Sequence, residues 1–302
     1  MTAARKRLDV ALSASQPGMS RRKAREVIEK GQVTIDGALV REPGRIVELS
    51  SAIAWDPNRR ALRHARLALA RLYEDEHVLI VDKPAGLLSV PTSEAAAGRE
   101  DSVLARVMAY VGHLRPRAPY VGRVHRLDRE TSGALAIALT PEARAGLIQL
   151  FRAHRIERLY EALVIGVPRE DAGSVDAPIR DTWLSGRRGV AQGREPASEA
   201  RTHWRVIERY GDAAHLELRL ETGRQHQIRA HLAHVGLPIL GDLVYAPRRA
   251  WSGPAVSRPM LHACRLAFTH PMTGSSVQAV SPTPADFSRT LEALRRRARR
   301  SR

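Results

Sequence analysis

The sequence predicts an α+β protein, with a largely antiparallel, mixed sheet in a large domain and a small α/β unit in front of it. Three observations lead to this prediction. From about residue 72 onward, short apolar runs typical of strands outnumber helical patterns. Before residue 60, the chain carries a helix and hairpin pattern of its own. The chain has 302 residues, 43% of them hydrophobic, which is enough for one large core and a smaller second one.

These patterns divide the chain into segments. We predict a small domain at 1–60, a large domain at 65–290, and a basic C-terminal tail at 291–302. Residues 56–70 are rich in Arg and Ala and are interpreted as a linker.

The N-terminal unit begins with an apolar stretch and continues into a capped helix. Ser20 is a candidate N-cap, and Gly31 ends the helix that follows it. Val33 and Ile35 then alternate with polar residues before Asp36-Gly37, a dipeptide that favours a tight hairpin turn.

Four cations lie in the first turns of that helix, namely Arg21, Arg22, Lys23 and Arg25. The helix dipole disfavours positive charge there, by about 0.3–1 kcal/mol for each residue. A single cation is explained by a solvated face that tolerates this cost. Four together favour a second explanation, contact with the phosphates of a nucleic acid.

The large domain is predicted from strands and one well-marked helix. A buried strand at 78–81 ends in a Lys-Pro turn, and a second buried strand covers 134–139. Thr140-Pro141-Glu142 supplies the cap, first-turn proline and first-turn acid of a helix that reaches about residue 153. Further strands are predicted at 159–165, 203–207, 216–220 and 265–269.

Charge and cysteine usage narrow the class of protein. The formal net charge of +17 predicts a polyanionic partner. Cys264 is the one cysteine, so neither a disulfide nor a cysteine-based zinc site is expected. No window of about 18 apolar residues is present. We therefore expect a cytoplasmic protein with no membrane partner, and a monomer.

Two clusters of reactive side chains stand out, at 122–133 and 221–229. The first lies between predicted strands and is expected to be a loop. The second opens a stretch in which Ile228, Leu232 and Val235 recur at helical spacing, so it lies at a helix N-terminus, where phosphates bind well. Phosphate-binding loops of the GxxxxGK[ST] type, GxGxxG and GxSxG are absent. No carboxylate or cysteine completes a metal spacing with the nearby histidines, so we expect no metal and no cofactor.

Both clusters resemble motifs of the RluA-like family of RNA pseudouridine synthases. The first matches HRLDxxTSG at 125–128 and 131–133, and the second matches GRxHQIR at 223–224 and 226–229. Residues 7–9, 20–21 and 31–37 resemble an S4 RNA-binding domain. The resemblance implies the pseudouridine synthase fold, an S4-like N-terminal domain, RNA as partner and a reaction without cofactor.

The resemblance also assigns roles to residues. Asp128 is the implied catalytic carboxylate, either as nucleophile or as the base that removes a ribose proton, and the sequence leaves both roles open. Arg229 matches the arginine that pairs with it, and Tyr160 the tyrosine that packs on the flipped base. Arg126 matches the arginine that takes the place of that base in the RNA stack. Arg224 and the four N-terminal cations complete the predicted RNA-binding set, while His125 and Thr131 are expected to shape the loop.

The sequence departs from the family pattern at two positions. Arg158 stands where the family usually has Lys, and Gln225 where it often has Thr. Neither departure affects Asp128, but both bear on the RNA substrate.

The predicted function is the isomerisation of selected uridines, with ribosomal RNA of the large subunit as the expected substrate and tRNA as an alternative. A non-catalytic RNA-binding or ribosome-assembly protein that retains the fold is the rival from a different class. Asp128 and Arg229 in intact motifs favour the enzyme.

Overall fold

The computed structural model describes residues 5–40, 43–48, 50–57, 69–93, 96, 100–114, 119–183, 187–246 and 251–300. The chain divides into two compact units, one of residues 1–68 and 90–122 and one of residues 69–89 and 123–302. This division groups 90–122 with the N-terminal unit, whereas we assigned that segment to the large domain. The linker predicted at 56–70 falls mostly on 58–68, outside the described residues.

The first unit combines three helices with short strands. The helices are α1 (Leu8–Ser15), α2 (Arg21–Glu29) and α3 (Val103–Leu114), and the strands are β1 (Arg5–Arg7), β2 (Val33–Ile35), β3 (Ala38–Val40), β4 (Ile46–Glu48) and β5 (Ile53–Trp55). The Ser20 hydroxyl accepts a hydrogen bond from Lys23 N at 3.2 Å, as predicted for an N-cap. Asp36 and Gly37 both adopt positive φ in the β2–β3 turn, as a tight hairpin requires.

The second unit is built around a large sheet. Its helices are α4 (Pro141–Arg152), α5 (Gln227–His234) and α6 (Ala285–Arg300), and the remaining strands are β6 (Arg71–Glu74), β7 (Val78–Lys83), β8 (Gly122–Arg123), β9 (Ser132–Ala138), β10 (Glu157–Ile165), β11 (Ala172–Asp176), β12 (Ile179–Arg180), β13 (Ala197–Ser198), β14 (Arg201–Arg209), β15 (Ala213–Leu220), β16 (Leu261–Thr269) and β17 (Ser276–Val280).

Strand order in this sheet is β11-β14-β15-β10-β16-β9-β7-β6, with β17 on β16 and β8 on β9. The β9–β16 pair is parallel, and the pairs of β10, β14 and β7 are antiparallel. The predicted α+β class with a largely antiparallel, mixed sheet is thus confirmed.

The core of the second unit lies where helix α4 packs against strand β9. Every residue of β9 is buried, and its alanines leave room for α4, which packs Ala143 and Leu147 against it. Thr140 Oγ1 accepts a hydrogen bond from Ala143 N at 3.2 Å, so the predicted cap starts α4.

Gly133 lies where the first motif enters the sheet. Its φ is +121°, and a Cβ there would lie 2.3 Å from the carbonyl oxygen of Ala263 on the parallel strand. A side chain would force β9 and β16 apart, so the glycine fixes the end of the loop that carries Asp128.

The C-terminal segment differs from the predicted basic tail. Residues 291–300 are the second half of α6, and Phe287, Leu291 and Leu294 are buried on one face of that helix. Ion pairs from Arg295 to Glu208 (2.8 Å) and from Arg297 to Asp212 (2.9 Å) attach it further. Apolar residues at helical spacing outweigh the run of arginines here. Residues 301–302 lie outside the described part.

Within the described ranges, no helix is long and apolar enough to cross a membrane.

Candidate active site

The second unit contains an open cavity of about 670 Å³ at the meeting point of the two motifs. Among the described residues that line it are six arginines, Arg123, Arg126, Arg152, Arg158, Arg224 and Arg229. Asp128 is the one acidic residue of that lining. The cavity therefore combines a strongly cationic wall with a single carboxylate.

The loop that carries Asp128 is fixed by hydrogen bonds to its backbone. Leu127 N donates to Ser89 Oγ at 3.0 Å, and the Ser89 hydroxyl donates back to Leu127 O at 2.7 Å. Thr131 N donates to Asp128 O at 3.1 Å and closes a turn. The Asp128 side chain thus projects from a backbone that is held on both sides.

His125 shapes the start of this loop. Its Nε2 accepts a hydrogen bond from Ala136 N at 2.9 Å, and its ring packs on Phe151 with 4.8 Å between centroids. Burial lowers the pKa of His125 to about 3, and the nearby Arg158 lowers it further. The imidazole is therefore a neutral acceptor, which fits the predicted structural role.

Two buried basic side chains hold the carbonyl groups that follow Asp128. Lys83 is fully buried and donates from Nζ to the carbonyls of Pro84 (3.0 Å), Leu87 (2.8 Å) and Arg129 (2.9 Å). Arg258 donates from Nη1 to Glu130 O at 3.3 Å. These contacts tie the loop to two other parts of the unit.

Arg229 orients the candidate carboxylate. Its Nη1 donates to Asp128 Oδ2 at 3.3 Å, while Nε and Nη2 donate to the two carboxylate oxygens of buried Asp242 at 2.6 and 2.9 Å. Burial opposes the charge of the guanidinium, but the hydrogen bonds and charge of Asp242 and the charge of Asp128 raise the pKa of Arg229 above its usual value. Arg229 is thus a permanent cation held in one orientation.

His226 contacts Arg229 Nη1, the same nitrogen that donates to Asp128. The Tyr245 hydroxyl donates to Arg188 O at 2.6 Å, so its oxygen accepts from His226 Nδ1 at 3.1 Å. His226 Nε2 is then the acceptor for Arg229 Nη1 at 3.0 Å. Burial lowers the pKa of His226, and the charge of Arg229 adds to this effect. The network thereby assigns a neutral imidazole with its proton on Nδ1.

Tyr160 is a buried residue of β10 that lines the cavity together with Asp128. Burial raises the pKa of Tyr160 to about 12, so the phenol keeps its proton at neutral pH. The ring offers an apolar wall and the hydroxyl a potential proton donor.

Arg126 and Arg224 are exposed at this cavity. Arg224 Nε donates to Glu199 O at 2.9 Å, and its backbone N–H donates to Gln227 Oε1 at 2.9 Å. Within the described part of the chain, no ion pair fixes either side chain. Both guanidiniums can therefore contact phosphate.

Arg158 packs against the far wall of the cavity. It donates from Nη2 to Glu221 O at 2.7 Å and lies 5.6 Å from the Phe151 ring centroid. A Cβ on Gly223 would lie 2.6 Å from Arg158 Nη1, so the glycine leaves room for this guanidinium. An arginine here thus supports the second motif.

Comparison with known proteins identifies the fold and the motifs. The sequence profile of RNA pseudouridylate synthase matches residues 77–234, and that of the S4 domain matches residues 6–53. The chain belongs to the RNA pseudouridylate synthase family. It is therefore an RNA pseudouridine synthase, an isomerase, with an N-terminal S4 domain.

Relatives match over nearly the whole chain. "Ribosomal large subunit pseudouridine synthase D" of Pseudomonas aeruginosa is 37% identical, covering 96% of this chain and 92% of that protein. "Uncharacterized RNA pseudouridine synthase" of Chloroflexus aurantiacus is 40% identical over 97% of this chain and 91% of that protein. Among solved structures, "Human RNA Pseudouridylate Synthase Domain Containing 4" superposes with a TM-score of 0.61 at 24% identity, covering 75% of this chain and 93% of that one, and shows the same fold.

The four predicted RNA-binding cations of the S4 domain differ in their partners. Arg21 and Arg25 donate from Nε to Oδ2 of Asp9 at 3.2 and 2.8 Å, and Asp9 is fully buried. Lys23 pairs with Glu26 at 3.3 Å. Arg22 is exposed and has no ion pair with a described residue. Arg21 and Arg25 thus stabilise the domain as well as presenting charge.

Sequence reasoning missed several residues of the synthase site, namely Ser89, Asp242, Tyr245 and Arg258. It placed Lys83 only in a structural turn and gave no role to His226. Asp242 lies 13 residues from Arg229, and no spacing rule predicts a pair across a turn at that separation. The sequence offered only a partial indication of Asp242, namely that Gly241-Asp242 follows shortly after the second motif. Within the described residues no group of three His, Cys, Asp or Glu could hold a metal ion.

Proposed function

We propose that this synthase converts specific uridines of large-subunit ribosomal RNA to pseudouridine in the cytoplasm, with Asp128 as the catalytic carboxylate. One observation carries the proposal: among the described residues that line an arginine-rich cavity, Asp128 is the acidic one, and it lies 3.3 Å from a guanidinium. The name of the Pseudomonas aeruginosa relative, 37% identical over 96% of this chain, supports the choice of RNA.

The reaction breaks the bond from C1′ of ribose to N1 of uracil, turns the base, and joins C1′ to C5. C5 then loses its proton and N1 gains one, so the product is an isomer of uridine. It consumes neither water nor electrons. Glycoside hydrolysis uses two carboxylates because an alkoxide leaving group needs a proton. A uracil anion is delocalised and stays bound, so one carboxylate, that of Asp128, suffices.

Asp128 acts as an anion in either of its two open roles, nucleophile at C1′ or base toward a ribose proton. Closure of the cavity by RNA removes water from the carboxylate, and Arg229 supplies the compensating charge. Tyr160 packs on the uracil ring and, with its proton retained, offers a hydrogen bond to the base.

The target uridine leaves its stack before Asp128 reaches C1′, at a cost of a few kcal/mol. Arg126 occupies the vacated place in the RNA. Arg224 and the S4 residues Arg21, Arg22, Lys23 and Arg25 contact phosphates and hold the RNA during this step.

Pseudouridine mapping in total RNA from cells with and without the gene tests the proposal. We expect loss at one or a few large-subunit positions, restored by the wild-type gene. Loss of pseudouridine only from tRNA would show that tRNA, and not ribosomal RNA, is the substrate. No lost position, together with inactive purified protein on ribosomal RNA, would favour the non-catalytic alternative.

A further inference from the structure

Trp183 is an unusually exposed aromatic residue close to the synthase site. Only 4% of the chain is aromatic. Among the described residues, Trp183 is the one Phe, Trp or Tyr whose side chain is exposed, with 48% of its surface accessible. Exposed indole costs hydrophobic free energy in the free protein. The position of Trp183 near the candidate active site suggests that RNA covers this exposed ring.

The imidazole of His226 lies between the indole of Trp183 and the candidate carboxylate, Asp128. Trp183 and His226 make an edge contact, with ring centroids 5.2 Å apart and planes at 83°. His226 Nε2 is in turn 3.8 Å from Asp128 Oδ2. The described residues that line the cavity do not include Trp183, so a uridine in the cavity leaves the indole for a neighbouring nucleotide.

Described residues before and after Trp183 make backbone hydrogen bonds. Arg180 N donates to Gly189 O at 3.0 Å, and Ala191 N donates to Pro178 O at 2.8 Å. The Tyr245 hydroxyl holds Arg188 O at 2.6 Å. The described backbone before and after Trp183 is therefore hydrogen-bonded within the second unit.

The surroundings of the indole are cationic. The Arg188 guanidinium lies 5.9 Å from the Trp183 ring centroid, and the preceding residue in sequence, Arg187, is exposed. An aromatic ring with arginines beside it is the arrangement by which proteins bind single-stranded nucleic acid, through base stacking and backbone charge.

We propose that Trp183 stacks on the base of a nucleotide adjacent to the target uridine, and that Arg188 contacts the RNA backbone beside it. This inference rests on the proposed function and adds a binding position outside the catalytic cavity. Stacking of this neighbouring base holds the RNA in place while the flipped uridine occupies the catalytic cavity.

Steady-state kinetics of Trp183→Ala and Trp183→Phe test the inference, on an RNA fragment that the wild type modifies. Loss of a stacked base should raise KM and Kd of the alanine variant about ten- to hundredfold with kcat nearly unchanged. Phenylalanine should restore most of the loss, because it keeps a stacking face. Ile207→Ala, which truncates another exposed side chain (43% accessible), is the matched control and should change neither constant.

Abasic nucleotides identify the partner directly. Each neighbour of the target uridine is made abasic in turn, and Kd is measured by fluorescence polarisation with wild type and Trp183→Ala. At one position the abasic RNA should weaken wild-type binding and leave the variant unaffected, a coupling that marks a direct contact.

Three results would overturn the inference: additive effects at both neighbouring positions, an unchanged KM and Kd in Trp183→Ala, or a fall in kcat alone, which would limit Trp183 to supporting His226. Because the Kd measurements need no turnover, they test the stacking separately from the catalytic role proposed for Asp128.

Discussion

Arg229 donates two hydrogen bonds to the buried carboxylate of Asp242, at 2.6 and 2.9 Å. This pairing leaves Nη1 for Asp128, at 3.3 Å. The orientation of the cation that faces the candidate catalytic group is therefore set by a residue that has no place in the cavity lining.

Asp242→Asn should damage both catalysis and stability. The amide cannot accept both hydrogen bonds, so Arg229 loses its fixed orientation and keeps only the weaker contact with Asp128 to balance its charge. We expect kcat to fall about ten- to hundredfold and unfolding free energy to fall by about 3 kcal/mol. Single-turnover rates and denaturant unfolding measure the two effects. Asp176→Asn, which breaks the exposed pair with Arg201, is the control and should leave the unfolding free energy nearly unchanged. A variant Asp242→Asn with wild-type kcat would contradict the orienting role.

The neutral state of His226 predicts an acid limb in the pH profile. Protonation at Nε2 would remove the acceptor for Arg229 Nη1 and place two cations 3.0 Å apart. Because burial lowers the pKa of His226, this loss should begin below the ordinary histidine range. In His226→Gln, whose amide oxygen can accept without titrating, the limb in kcat/KM should move to lower pH. Identical acid limbs in both proteins would exclude His226 as their origin.

Lys83 predicts a pH dependence of stability. Burial lowers the pKa of Lys83 to about 7, opposed by the charges of Asp128 and Glu130. The unfolded chain therefore binds more protons than the folded one between pH 7 and the ordinary lysine value, and stability from this group rises with pH across that window. Urea unfolding at pH 7 and pH 9.5 should show the stability difference between wild type and Lys83→Met shifting in favour of wild type at the higher pH. An equal difference at both values would contradict the lowered pKa.

Two cations of the S4 domain should separate RNA binding from stability. Arg22 is exposed without a described ion pair, so Arg22→Gln should weaken RNA binding, flatten the slope of log affinity against log salt by up to about one, and leave the melting temperature unchanged. Arg25 also donates to buried Asp9 at 2.8 Å, so Arg25→Gln should lower the melting temperature as well. Nitrocellulose filter binding across salt concentrations and thermal unfolding measure the two effects. Equal melting temperatures in the two variants would show that the Arg25–Asp9 pair contributes nothing.

The sequence predicted those features that depend on local chemistry. Strand patterns, the Ser20 and Thr140 caps and the Asp36-Gly37 turn follow from short-range rules, and each is present. The contacts of Asp9 with Arg21 and Arg25 span 12 and 16 residues and arise only when helices pack.

Long-range contacts also account for the parts of the site that were missed. Lys83 reaches the Arg129 carbonyl across 46 residues, and Arg258 reaches the Glu130 carbonyl across 128. The fold alone brings these two basic side chains to the loop. The helix α6 was missed for a different reason, because its arginines obscured the spacing of Phe287, Leu291 and Leu294.

Asp128→Asn is the variant that tests the central claim, with tritium release from RNA labelled at C5 of uridine as the measurement. The amide keeps the shape of the side chain, and Asp242 still balances the charge of Arg229, so fold and RNA affinity should be retained. Loss of the anionic oxygen should lower the rate by several powers of ten, with Kd within about threefold of wild type. A folded variant whose tritium release stays within about tenfold of wild type would contradict the assignment of Asp128 as the catalytic carboxylate.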